Sequence, residues 1–170
     1  YVPLLAGGLL VYLGMRSGLE WSLGQYVIAL LLTVDMVGGV ITNATSSAKR
    51  WFHREGEGYK EHMRFIGIHF IQLGLFSGFF LDLNLWWVAY VGAYMMLAST
   101  VILLVPLYLQ RPVALILYAI SLVLSLYVFD SAAGLEWFLP IFFLKLLISH
   151  LLKEVPYQAD TDNPPFHNQG

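Results

Sequence analysis

The sequence predicts an all-α fold: a polytopic integral membrane protein, a bundle of about six transmembrane helices with both termini in the cytoplasm. Three observations carry that prediction. Of 170 residues, 58% are hydrophobic and only 12% charged, where a soluble domain has roughly a quarter charged. Apolar runs near the length of a bilayer span recur along the whole chain. The basic residues fall almost entirely in every second break between those runs. No polar stretch is long enough for a second domain. Residues 1–152 therefore read as one transmembrane domain, and 153–170 as a flexible cytoplasmic tail rich in Pro, Asn, Asp and Gln.

The first span is expected over about 1–15, closing at Arg16-Ser17-Gly18. About 15 residues rise only about 22 Å, which is short for a crossing. The chain starts at Tyr1 rather than Met, so residues ahead of it are expected to supply the remainder. The run has no basic leader or small-residue cleavage site and does not read as a signal peptide. The second span, 22–45, carries Asp35 inside an apolar run. A carboxylate at mid-membrane depth costs a few kcal/mol or more, so it must face a partner or a water-filled cavity. Gly38, Gly39 and Thr42 beside it let another helix approach closely. A polar connection, 46–61, leads to the third span, 62–83. The fourth, 85–110, is expected to kink at Pro106 and to turn at Arg111-Pro112. The fifth is 113–129, residues 130–134 form the next turn, and the sixth is 135–152.

Charge supports this count. With six spans, Lys49, Arg50, Arg54, Lys60, Arg64, Arg111 and Lys153 share one side, Arg16 alone lies on the other, and Lys145 is inside the sixth span. Such a bias marks the cytoplasmic face. Trp21, Trp86, Trp87 and Trp137 map to the opposite face as an aromatic belt, and Trp51 marks the cytoplasmic interface. The second span has an acid and a Gly pair that the fifth lacks, which weakens an inverted-repeat transporter. The chain has no cysteine, which excludes disulfides, thiolate catalysis and Cys-held zinc or iron–sulfur clusters. No GxSxG, P-loop or GxGxxG sequence is present.

Counting residues from the cytoplasmic ends puts Asp35 roughly 15 Å deep, level with Gln72, and His69 and Lys145 roughly 10 Å deep. His62 and His69 share a face, and so do Asp35, Gly39 and Thr42. Lys145 and His150 differ by about 140°, so one of them should be peripheral. Three arrangements fit. Asp35, His62, His69 and His150, with His53 or Asn43, could ligate a divalent metal such as zinc, iron or manganese. Asp35 and His69, with His62, could instead form a catalytic acid–base or proton-relay set. Alternatively Asp35 pairs with Lys145 as a structural ion pair, or bonds to Asn43, Thr42 or Gln72.

The connection interleaves basic and aromatic residues. Arg50, Arg54 and Arg64, with His53 and Asn43, could bind an anionic lipid headgroup or small-molecule substrate. The same residues also suit an ordinary positive-inside loop with a Trp/Phe anchor. Glu55, Glu57 and Glu61 dilute the patch, so nucleic acid is not an expected partner. Asn43-Ala44-Thr45 matches a glycosylation sequon, but a cytoplasmic position leaves it unmodified.

The first functional expectation is an enzyme acting on a lipid or other membrane-confined molecule near the cytoplasmic face, with membrane lipid as its partner. The second is a small proton- or cation-coupled transporter or channel using Asp35 and His69. The third is a non-catalytic membrane subunit. An oligomer is compatible with all three.

Overall fold

A computed structural model describes residues 1–154. The expected tail, with His167 in it, lies outside the described residues apart from Lys153 and Glu154. Among the described residues the chain is helical and has no strand. The elements are α1 (Val2–Arg16), α2 (Leu23–Asn43), α3 (Ser46–Phe52), α4 (Tyr59–Ile68), α5 (Phe70–Phe80), α6 (Leu85–Leu104), α7 (Leu107–Tyr127) and α8 (Phe138–Phe143). From α8 the chain continues as a π-helical segment, Leu144–His150. Four of these rods are long and apolar enough to cross a membrane: α2, α4 running into α5, α6 and α7. Val2–Arg16 and Phe138–His150 are apolar but shorter.

Local chemistry sets the boundaries. Ser22 and Gln25 form a reciprocal cap at the start of α2: Ser22 N donates to Gln25 Oε1 at 2.8 Å, and Gln25 N to Ser22 Oγ at 3.3 Å. Asn84 Oδ1 accepts from Trp87 N at 3.0 Å and starts α6. Thr45 Oγ1 accepts from Ala48 N at 3.2 Å and starts α3 inside the stretch expected as a plain polar connection. Gly56, at φ +90°, turns the chain between α3 and α4.

The break expected at Arg111-Pro112 lies earlier. Val105, ahead of Pro106, is extended (φ −72°, ψ 151°), which ends α6 at Leu104. Pro112 is accommodated inside α7 as its sixth residue, at the cost of the one bond its nitrogen would otherwise make to Tyr108 O.

His69 divides α4 from α5. Its Nδ1 donates to the Phe65 carbonyl at 2.8 Å. That is the carbonyl its own backbone N–H would take in an α-helix. The N–H goes to Ile66 O instead, at 3.0 Å, tightening one turn.

The last helical segment is the bundle's core. Phe138, Phe142, Phe143, Leu146 and Leu147 are all fully buried. Phe76 stacks on Phe138 at 4.4 Å and on Trp87 at 5.1 Å. Trp87 is therefore a core residue rather than part of an interfacial belt, and its Nε1 donates to Asp130 O at 2.8 Å. Trp86 beside it is exposed. The outer faces of α1 and α7 present Leu4, Leu5, Leu115 and Leu126 outward, as helices facing hydrocarbon must.

Candidate functional site

Two cavities open toward the end of the bundle that carries α3, and each collects part of the expected site. The first centres on Asp35. Lys145 Nζ donates to Asp35 Oδ2 at 2.9 Å, and Gln72 Nε2 donates to the same oxygen at 3.2 Å. Lys145 reaches it through a notch at Gly39. A Cβ there would lie 2.7 Å from Lys145 Cδ and would also collide with Cε. The partners differ in environment: the Lys145 side chain is 4% exposed and that of Asp35 46%.

Asp35 and Lys145 border a cavity of about 450 Å³, whose polar lining is completed by Asn43, His69, Gln72 and Thr42, the last with its hydroxyl committed to Gly38 O at 2.9 Å. Several polar atoms there are uncommitted. Asn43 is 7% exposed, and its Nδ2 is buried with no partner. Gln72 Oε1 is likewise buried and unpartnered. His69 has its Nδ1 hydrogen on the Phe65 carbonyl, so in the neutral ring Nε2 carries a free lone pair. Buried amide groups without partners are rare enough in native proteins to need an explanation.

The second cavity, about 520 Å³, lies under the α3–α4 turn and is lined by His53, Arg54, Glu57, Tyr59, His62 and Gln110 among others. At its wall, His62 Nδ1 and His150 Nε2 are 3.2 Å apart and share one hydrogen. His53 Nε2 donates to His150 O at 3.2 Å. The His150 ring stacks on Phe65 at 3.9 Å and meets the edge of Phe52 at 4.5 Å. Lys49, also buried, donates to Leu152 O at 2.7 Å and lies 3.9 Å from Glu154. Burial lowers the Lys49 pKa and outweighs the opposing pull of Glu154. Burial, reinforced by neighbouring His62, pushes His53 down to about 4.

The structure separates residues the sequence had grouped. Asp35 and His69 share the first cavity, whereas His62, expected to complete the catalytic set, lines the second. Phe65 stands between them, packing on His69 at 4.9 Å and on His150 at 3.9 Å. The expected metal set of Asp35, His62, His69 and His150 is likewise divided. Asp35 is held by Lys145 and Gln72, His69 has one nitrogen on a carbonyl, and His62 and His150 bond to each other. Among the described residues no three His, Cys, Asp or Glu are grouped to hold a metal.

Nor do the arginines converge on an anion. Arg54 Nη2 bonds Glu57 Oε1 at 2.6 Å and its guanidinium lies 3.9 Å over Trp51. Arg50 bonds Ser47 at 3.3 Å, and Arg64 is exposed.

Lys145 and His150 are both buried, against the expectation that one would be peripheral. That expectation assumed α-helical winding. Where hydrogen bonds run i→i+5, as from Leu151 N to Leu146 O, residues five apart become neighbours on one face.

Two contributors were missed. Phe65 carried no polar signal, although its spacing from His62 and His69 puts it on their side of the helix. Lys49 carries no sequence signal beyond that of a loop charge. No known protein family, characterised protein or solved structure matches the chain.

Proposed function

We propose that this chain is a membrane-embedded enzyme that binds the polar part of a membrane-confined molecule in the Asp35 cavity and carries out proton transfer there. The observation that supports this most is a Lys–Asp pair, its ammonium buried and its carboxylate open, bordering a 450 Å³ cavity whose lining residues Asn43 and Gln72 carry unpartnered amide atoms. An ion pair serving structure alone would be closed by packing and would leave no orphaned amide beside it. His69 Nε2 is the proton acceptor. Lys145, an ammonium held in place by Asp35, faces the negative charge left when a proton departs. Asn43 and Gln72 orient the bound group.

The six-span, both-termini-inside arrangement belongs to the same reading. The one-sided basic residues support it, and it puts both cavities at the cytoplasmic leaflet. A through-membrane path has less support. In the half of the bundle away from α3, Ser77, Ser121 and Ser125 each donate to a backbone carbonyl, leaving no open relay among them.

The test is lipid composition by mass spectrometry in cells overproducing the protein or its His69→Gln variant, which supplies every cellular co-substrate. The expected result is one lipid class depleted and another enriched by the wild type alone. Unchanged lipids, together with proton flux in proteoliposomes that His69→Gln abolishes, would replace the enzyme with a proton pathway.

A further inference from the structure

The Asp35 cavity has a charge and shape that narrow what it can hold. Its charged lining residues are Asp35 and Lys145, which cancel. None of Arg50, Arg54 and Arg64 lines it. A phosphate or carboxylate placed there would find no uncommitted cation, because Lys145 is already bonded to Asp35. A cationic head at Asp35 would share a carboxylate already neutralised by the Lys145 ammonium and would lie beside that like charge. The bound group is therefore uncharged.

The uncommitted atoms set its hydrogen bonding. Gln72 Oε1 and His69 Nε2 are acceptors that need a donor, and Asn43 Nδ2 is a donor that needs an acceptor. A hydroxyl is both at once. The rim is apolar: Val34, Phe65 and Ile68 border the same cavity, and Ile68 is 58% exposed. A polar floor beneath an apolar mouth suits an amphiphile that enters with its chains still in hydrocarbon.

We infer that the ligand of this cavity is an amphiphile with an uncharged, hydroxyl-bearing head, held by Asn43, Gln72 and His69. This rests on the site assigned above and specifies its substrate class. Phosphate-headed lipids are excluded by the neutral lining, and fully esterified glycerides by the lack of a donor. A pocket built around a hydroxyl discriminates strongly against analogues without one, because its own polar atoms are then left unpaired.

The experiment uses three short-chain probes with the purified full chain in detergent, quantified by native mass spectrometry: dioctanoylglycerol, its phosphate monoester and its acetate ester. Dioctanoylglycerol is expected to bind at least about tenfold more tightly than either derivative, the equivalent of one satisfied hydrogen bond. The informative variant is Asn43→Leu. Its amide nitrogen has no partner to lose, so the unfolding midpoint should hold or rise while dioctanoylglycerol binding falls by about tenfold. Equal or tighter binding of the phosphate monoester overturns the inference. So does an Asn43→Leu variant that binds normally, or one that unfolds earlier, which would make Asn43 a structural residue. The two proposals fail separately. Turnover of a phosphate-headed lipid that needs His69 leaves the enzyme standing and removes the hydroxyl inference. Selective dioctanoylglycerol binding with no lipid converted in cells does the reverse.

Discussion

Asp35 and Lys145 are unequal partners, and that inequality predicts how each behaves when lost. Lys145 is 4% exposed, so without Asp35 it is a buried ammonium with no counter-charge. Asp35 is half open to the cavity and keeps Gln72 as a donor, so without Lys145 it can still be solvated. Asp35→Ala is therefore expected to destabilise by about 3 kcal/mol and Lys145→Met by clearly less. The double variant should recover most of the Asp35→Ala loss. Thermal unfolding of the four proteins in one detergent checks this, and purely additive losses would mean that the pair is not coupled. At this scale the sequence was informative where a single residue violated its surroundings. A carboxylate in an apolar run demands a partner, and residue counting put Gln72 at its depth. It also offered Lys145, the one basic residue inside a span, as a candidate partner, and Lys145 Nζ lies 2.9 Å from Asp35 Oδ2. The Gly39 notch that admits its side chain had no sequence signal, because it depends on the register of a helix more than a hundred residues away.

At the level of elements, the hydrophobic runs placed α1, α2 and the α4–α5 rod to within a few residues. The misjudged boundaries are those where two local signals competed. Pro106 and Pro112 both can end a helix, and only the packed structure shows that Pro106 does. The π-helical winding of Leu144–His150 has no pattern that residue spacing reveals. The short helix α3 was hidden in a charged loop, and its docking suggests a measurable behaviour. His53 and Lys49, at and just beyond its C-terminal turn, both donate to carbonyls at the end of the last helical segment. His53 has its pKa pushed down to about 4 from an ordinary 6.5. Between those values the unfolded or undocked segment binds a proton that the docked one does not. Docking is therefore favoured above pH 6.5 and weakens as pH falls toward 4. Hydrogen exchange of residues 46–54, corrected for intrinsic rates, should accelerate over that window. His53→Gln keeps a side-chain donor without a titrating ring and should reduce the pH dependence. Acceleration that persists unchanged in His53→Gln would assign it to another group.

For the whole molecule, the decisive feature is asymmetry. The end carrying α3 holds both cavities, the four histidines among the described residues, the Lys–Asp pair and most of the described basic residues. At the opposite end the buried side chains of Trp87, Ser77 and Ser125 are closed off on the carbonyls of Asp130, Asn84 and Ser121, and the acids Asp82 and Asp130 lie at the surface. Polar atoms inside hydrocarbon are costly, so an excess left open on one side needs water or a ligand from that side. Composition made the membrane class legible, and four helices are long and apolar enough to cross a bilayer; basic-residue counting supplies the proposed orientation. Neither showed that the shortest apolar segment, Phe138–His150, forms the core, because burial against neighbours is a property of assembly rather than of length. The orientation is directly measurable because the chain has no native cysteine. Single cysteines introduced at Gly56 and at Lys153 are expected to be blocked only by a membrane-permeant maleimide in intact cells. Those at Gly18 and Ser131 should be blocked by an impermeant one. Shared labelling of the Gly56 and Ser131 reporters would break the alternation of six spans. A clean inversion of the two groups would put both cavities on the outer leaflet, and the substrate would then have to be sought there.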